Sequence, residues 1–137
     1  MRKLFLDDIR LPIECVSYMY KRIGSNNSIY LENDWIIVRT YDEFIKEIIN
    51  NGLPDICSFD HDLADEHIQD YYKKEPNGQL DYHKYKERTG FDCAKWLVEH
   101  CINNSLELPK YIIHSWNPIG AKNIQSILDT FKKFSES

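Results

Sequence analysis

Four short apolar runs, interleaved with stretches of helical periodicity, constrain this chain more than any other feature of its sequence. Lys3 to Leu6 is an apolar run that stops abruptly at Asp7-Asp8, and Trp35 to Arg39 is rich in β-branched residues. Ile56 to Phe59 and Tyr111 to Ile113 complete the set of expected strands. Between and after them, apolar residues recur at helical spacing: Phe44, Ile45, Ile48 and Ile49; then Cys93, Ala94, Trp96, Leu97 and Cys101; then Ala121, Ile124, Ile127, Leu128 and Phe131. Glu14 to Ile23 reads as a shorter helix, followed by a loop of turn formers at Gly24 to Ser28. Strands that alternate with helices argue for a parallel sheet covered on both faces. The expectation is an α/β, three-layer fold with a four-stranded parallel sheet, for which 2-1-3-4 is one doubly wound order.

Local punctuation supports these boundaries. Thr40 caps the second helix in a capping box with Glu43, and Asn50-Asn51-Gly52 stops it, with Pro54 close behind. Asn117-Pro118 places an N-cap and a first-turn proline at the start of the last helix. A long polar stretch at about 63–89 holds Tyr71, Tyr72, Tyr82 and Tyr85, and reads either as a flap over a ligand or as a loop packed on the body. The 137 residues read as one domain, 1–137.

Charge and composition limit the partners. A net charge of -5 argues against broad DNA binding, because a phosphate backbone demands a basic face. A small phosphate ligand needs only one or two local cations, and Arg10 and Lys122 are the nearest in sequence to the polar motifs. No apolar stretch is long enough to span a bilayer, and the apolar start of the chain is cut by carboxylates before it can form a signal core. Cys15, Cys57, Cys93 and Cys101 show no CxxC pairing and read as reduced core residues, so the expected location is cytoplasmic.

Three of the four expected strands end in polar groups: Asp7-Asp8, Asp60-His61-Asp62 and His114-Ser115. Ligands of open α/β sheets bind beyond the carboxyl ends of the strands, so the order 2-1-3-4 would turn all three motifs to one crevice. Carboxylates crowded together repel, and therefore hold a proton or bind a cation. Asp7, Asp8 and Asp60 are the candidate metal ligands, with magnesium or manganese the ions that suit oxygen donors. His61 and His114 could instead act as a general acid and base without metal, with Asp60 beside them. Arg10, Asp62, Ser115 and Asn117 are candidate ligand contacts, and the helix opening near Asn117 favours an anion. Ser115 and Asn117 read equally well as turn and cap residues, while for His114 the active role outweighs the alternative of a core histidine bonded to a backbone carbonyl. Trp35 and Trp96 read as core, Trp116 as a neighbour of the site, and His67, His83 and His100 as surface residues.

The motifs LFLDDIRLP, SFDHDL, TGFDCAKWLV and HSWNPIGAKNI carry a resemblance over nearly the whole chain, apart from the loop after Leu63. Asp7-Asp8, Asp60 and Ser115 are placed as in response-regulator receiver domains, and the four motifs together resemble a small receiver-like family named for cyclic-phosphate processing. The resemblance implies a receiver-like, flavodoxin-like sheet, an added pair of histidines, and action as a phosphoesterase on a cyclic phosphate of a nucleotide or RNA end. The alternative is a non-catalytic module that binds a phosphate ligand or a protein partner. Receivers carry a lysine on a fifth strand. The sequence reads as lacking that strand, so phosphorelay through Asp60 is not expected.

Overall fold

A computed structural model describes residues 1–64 and 88–136. The strands are β1 (Lys3–Leu6), β2 (Ile36–Val38), β3 (Ile56–Phe59) and β4 (Lys110–Ile113). They form one parallel sheet in the order β2-β1-β3-β4, the order that a receiver-like fold implies. The helices are α1 (Val16–Ile23), α2 (Tyr41–Asn51), α3 (Gly90–Asn104) and α4 (Pro118–Glu136). The long connection expected at about 63–89, with its tyrosines, His67 and His83, lies outside the described residues except at its two ends. No helix among the described residues is long and apolar enough to cross a membrane.

The two sheet faces are covered unequally. Leu4, Leu6, Cys57, Phe59 and Ile113 meet Phe44 and Ile48 of α2, Cys93 and Leu97 of α3, and Ile124 and Leu128 of α4 in one core cluster. Phe5 and Ile56 point the other way, since successive strand residues face opposite sides, and pack with Cys15, Met19, Tyr30 and Trp35. Right-handed crossovers explain the split. The first connection runs to one side of β1 and the later ones to the other, so α1 lies opposite α2, α3 and α4.

Several boundaries differ from the sequence reading. The first helix is a 3-10 turn at Pro12–Cys15 leading into α1, because Pro12 suits a first turn and has no amide to donate. The expected loop at Gly24 to Ser28 belongs to a longer 3-10 segment, Gly24–Leu31, whose buried Tyr30 ties it to the sheet. Trp35 precedes β2, its ring stacked on Tyr30 and its indole N–H donated to the Ile29 carbonyl. Thr40 does cap α2, accepting from the Glu43 amide, but Glu43 reaches back to the Arg39 amide instead of closing the box on Thr40. At the start of α3, Thr89 and Asp92 close a complete capping box.

Past the paired residues, the ladder continues by one row. The amide of Asp7 donates to Val38 O at 3.1 Å, that of Asp60 to Leu6 O at 2.9 Å, and that of His114 to Phe59 O at 2.9 Å. Since Leu6, Phe59 and Ile113 share a register row, Asp7, Asp60 and His114 share the next. Leu6, Phe59 and Ile113 belong to the core cluster with α2, α3 and α4, so alternation turns the polar row to the α1 side.

Candidate functional site

Asp7 anchors the row. Its Oδ1 accepts the amides of Ile9 and Arg10 at 3.0 and 2.7 Å, which folds the chain sharply after β1. Its Oδ2 receives His114 Nε2 at 3.0 Å and the Arg10 guanidinium at 3.4 Å. These donors hold the Asp7 carboxyl down at about 2 despite full burial. Arg39, which the strand pattern assigned no role, clamps the same turn by donating to the carbonyls of Asp7 and Arg10.

His114 is fully buried, and its ring is stacked on Phe5 with centroids 4.5 Å apart. Both of its nitrogens are engaged: Nε2 with Asp7, and Nδ1 with Ser58 Oγ at 2.6 Å. Ser58 in turn meets the Tyr30 hydroxyl at 2.6 Å. An ionised carboxylate only accepts, so the chain of bonds has one consistent direction. Tyr30 donates to Ser58, Ser58 to Nδ1, and Nε2–H to Asp7. Burial lowers the His114 pKa, in keeping with a neutral ring. Ser58 and Tyr30 escaped the sequence reading because a serine in a buried strand and a tyrosine outside any expected element give no signal of partnership.

Asp60 is buried, with Oδ1 accepting its neighbour's amide at 2.8 Å. Burial, then the Asp7 charge, raises its pKa well above the usual carboxylate range. Asp8, half-buried at the rim, is pushed up to about 6 by burial and by Asp7. Three carboxyls, two of them reluctant to ionise, are the signature of surplus negative charge.

Two glycines bring the helix starts onto this turn. A Cβ on Gly90 would stand 1.7 Å from the Asp60 carbonyl oxygen, so the first residue of α3 fits there only without a side chain. Its amide donates to His61 O at 2.8 Å. A Cβ on Gly120 would lie 2.2 Å from the His61 ring, which rests flat on the first turn of α4. His61 is fully buried, with Nδ1 2.7 Å from Asp62 Oδ1. Asn117 caps α4 through its Oδ1 to Gly120 N and donates Nδ2 to Asp62 at 3.1 Å. Ser115 accepts the Asn117 amide at 3.1 Å. Both residues therefore have the turn and cap functions that were one of their two readings.

The strand ends thus gather Asp7, Asp8, Arg10, Asp60 and His114 in one cluster, while His61, Asp62, Ser115 and Asn117 form an adjoining network. Lys122 stays exposed on α4. A groove of about 1140 Å³, lined by Ile23, Ile56, Leu108, Lys110 and Ile112 among others, lies by the start of β3 and β4 and holds none of these groups.

A family model described as "Cyclic-phosphate processing Receiver domain" matches residues 2–130. The chain belongs to that family. No curated protein and no solved structure matches it. In this cyclic-phosphate processing receiver domain, one ligand atom each from Asp7, Asp60 and His114 lie within 4.8 Å of one another, a spacing that could hold a metal ion. The donor set fits a hard divalent cation through its carboxylates, since an ion would relieve the repulsion that raises Asp8 and Asp60. The imidazole fits less well, because its Nε2 already carries the proton given to Asp7. Arg22 and Tyr18 tie α1 to the end of β4, donating to the carbonyls of Ile113 and His114 at 2.9 and 2.7 Å.

Proposed function

We propose that this chain is a phosphoesterase that opens or hydrolyses a cyclic phosphate of a nucleotide or RNA end, centred on Asp7, Asp8 and Asp60. The observation that carries the reading is the shared row of strand-end groups, two carboxylates and an imidazole within 4.8 Å, in a family described by cyclic-phosphate processing. Magnesium or manganese, held by those carboxylates, would neutralise phosphate charge and lower the pKa of an attacking water. Arg10 supplies a fixed cation for a phosphate oxygen, with its guanidinium already held at the rim by Asp7.

The two histidines take different roles. His114 presents Nε2–H to Asp7 and keeps that carboxylate ionised and oriented, so it is a positioning residue. His61, whose Nδ1 lies 2.7 Å from Asp62 Oδ1, is assigned the acid–base role in this reading, with Asp62 orienting the ring. Asn117 holds Asp62 in place for this.

Phosphorus NMR of nucleoside 2′,3′-cyclic phosphates with manganese, magnesium or chelator tests the reading. Turnover that chelator abolishes, that His61→Ala abolishes and that His114→Gln largely retains is the expected result, since glutamine also donates to Asp7. Turnover in chelator, or equal loss in both histidine variants, would overturn these roles. The burial of both imidazoles favours one second reading, a module that binds the phosphate ligand without turning it over.

A further inference from the structure

Trp116 stands apart from the residues around it. His114, Ser115 and Asn117 are all buried, whereas Trp116 is 63% exposed. It belongs to neither core cluster, unlike Trp35, which lies within one, and Trp96, which packs against the other. Yet the indole is held in a definite pose. Tyr18 meets it edge to face, with centroids 5.3 Å apart and planes at 90°. Tyr18 is itself pinned, donating its hydroxyl to the His114 carbonyl at 2.7 Å, with the Arg22 guanidinium 5.8 Å from its ring. Arg10 Cζ sits 5.1 Å from the Trp116 centroid while Nη1 of the same residue reaches Asp7.

Holding a large apolar ring in water gains the fold little, because its transfer free energy is left unrealised. An oriented indole next to a guanidinium does suit one kind of ligand: a planar aromatic group covalently joined to a phosphate. The ring stacks while the phosphate reaches the arginine and the carboxylate cluster beside it. Nucleobases of every kind offer such a face.

We infer that Trp116 is a nucleobase platform, and that the phosphate ester handled at Asp7, Asp8 and Asp60 is that of a nucleoside; the inference rests on the phosphate-ester reading of that cluster. Arg10 then has two jobs, cation for the phosphate and partner that keeps the indole upright. Sugar or lipid phosphates would leave Trp116 without an occupant.

The test measures Kd by calorimetry for two probes, adenosine 2′,3′-cyclic phosphate and the base-free 1-O-methylribose 2,3-cyclic phosphate. Each is titrated into the wild-type chain, Trp116→Ala and Trp116→Tyr, with turnover followed in parallel. The nucleotide is expected to bind the wild type about tenfold or more tightly than the base-free probe. Trp116→Ala should erase that difference by weakening the nucleotide alone, and Trp116→Tyr should restore most of it. Equal affinity for both probes in the wild type, equal weakening of both in Trp116→Ala, or no nucleotide binding at all would overturn the inference. Trp116-dependent binding without turnover would support the platform and refute the phosphoesterase. Turnover of both probes at the same kcat/KM would refute the platform and leave the phosphoesterase standing.

Discussion

Neutralising Asp8 should make the metal-free protein more stable, and the effect should depend on pH in a fixed direction. Burial and the neighbouring Asp7 charge raise the Asp8 carboxyl from 3.8 to about 6. A folded-state pKa above the unfolded value means that the folded chain binds the proton more tightly. The stability this confers is complete below about pH 4 and is lost as pH rises through about 6. A shift of this size corresponds to about 3 kcal/mol for a fully buried group. Asp8 is only half-buried, and solvent screening brings the working figure to about 1 kcal/mol. Asp8→Asn should therefore raise the unfolding midpoint by about 4 °C at about pH 7.5 in chelator, and leave it unchanged at about pH 4. Urea or thermal unfolding of the two proteins at both pH values measures this. Saturating manganese should reverse the order, because an ion bound only to the folded state adds about 2.7 kcal/mol at a hundredfold excess over Kd, and the variant has lost a ligand. An Asp8→Asn protein less stable than wild type near neutral pH, or a gap that ignores pH, would refute the argument that this site stores repulsion for a cation.

Three further outcomes follow from the same geometry. Asp7→Asn should act in the opposite sense to Asp8→Asn and destabilise, because Asp7 has a lowered pKa of about 2; its contribution is present above 3.8 and lost as pH falls through about 2, which acid titration of both proteins would read. Ser58→Ala leaves His114 Nδ1 without its donor and the Tyr30 hydroxyl without its acceptor, and should cost about 1–3 kcal/mol in denaturant unfolding; a neutral result would remove the buried relay from the account. Gly120→Ala drives a methyl into the His61 ring and should cost about 1–3 kcal/mol while displacing His61 from Asp62, visible in the histidine NMR signals; an unchanged spectrum and stability would contradict the close packing.

The strands and helices were legible because each left its mark: a β-rich run, a capped helix and a stop signal, repeated, while their order in the sheet came from the resemblance to receiver domains. The polar ends of three of those runs gave away Asp7, Asp60 and His114, since carboxylates and imidazole are costly to bury without partners. Their register was not legible. Nothing in the residue order says that the amides of Asp7, Asp60 and His114 continue the ladder in a single row, because register is settled by how helices seat on the sheet. The partners of His114 were hidden for a related reason. Ser58 reads as an ordinary strand residue and Tyr30 falls between the expected loop and the second strand, in no expected element, and only the fold brings them from 28 residues apart into contact. Arg39 was masked by its place at the end of an apolar run, where its reach to two carbonyls depends on the turn after β1. Gly90 and Gly120 gave no signal of their own in the sequence, since the close approach of backbone or ring that calls for them exists only in the fold.

Turnover of a nucleoside 2′,3′-cyclic phosphate by the wild-type chain and by Asp60→Asn, in manganese and at matched folded fraction, tests the central claim most directly. The account predicts opening or hydrolysis of the cyclic phosphate by the wild type and a loss of about a hundredfold or more in the variant, the scale of removing a group that holds charge at the reacting centre. Undiminished turnover in Asp60→Asn would contradict it, and so would a wild-type protein that leaves the cyclic phosphate intact.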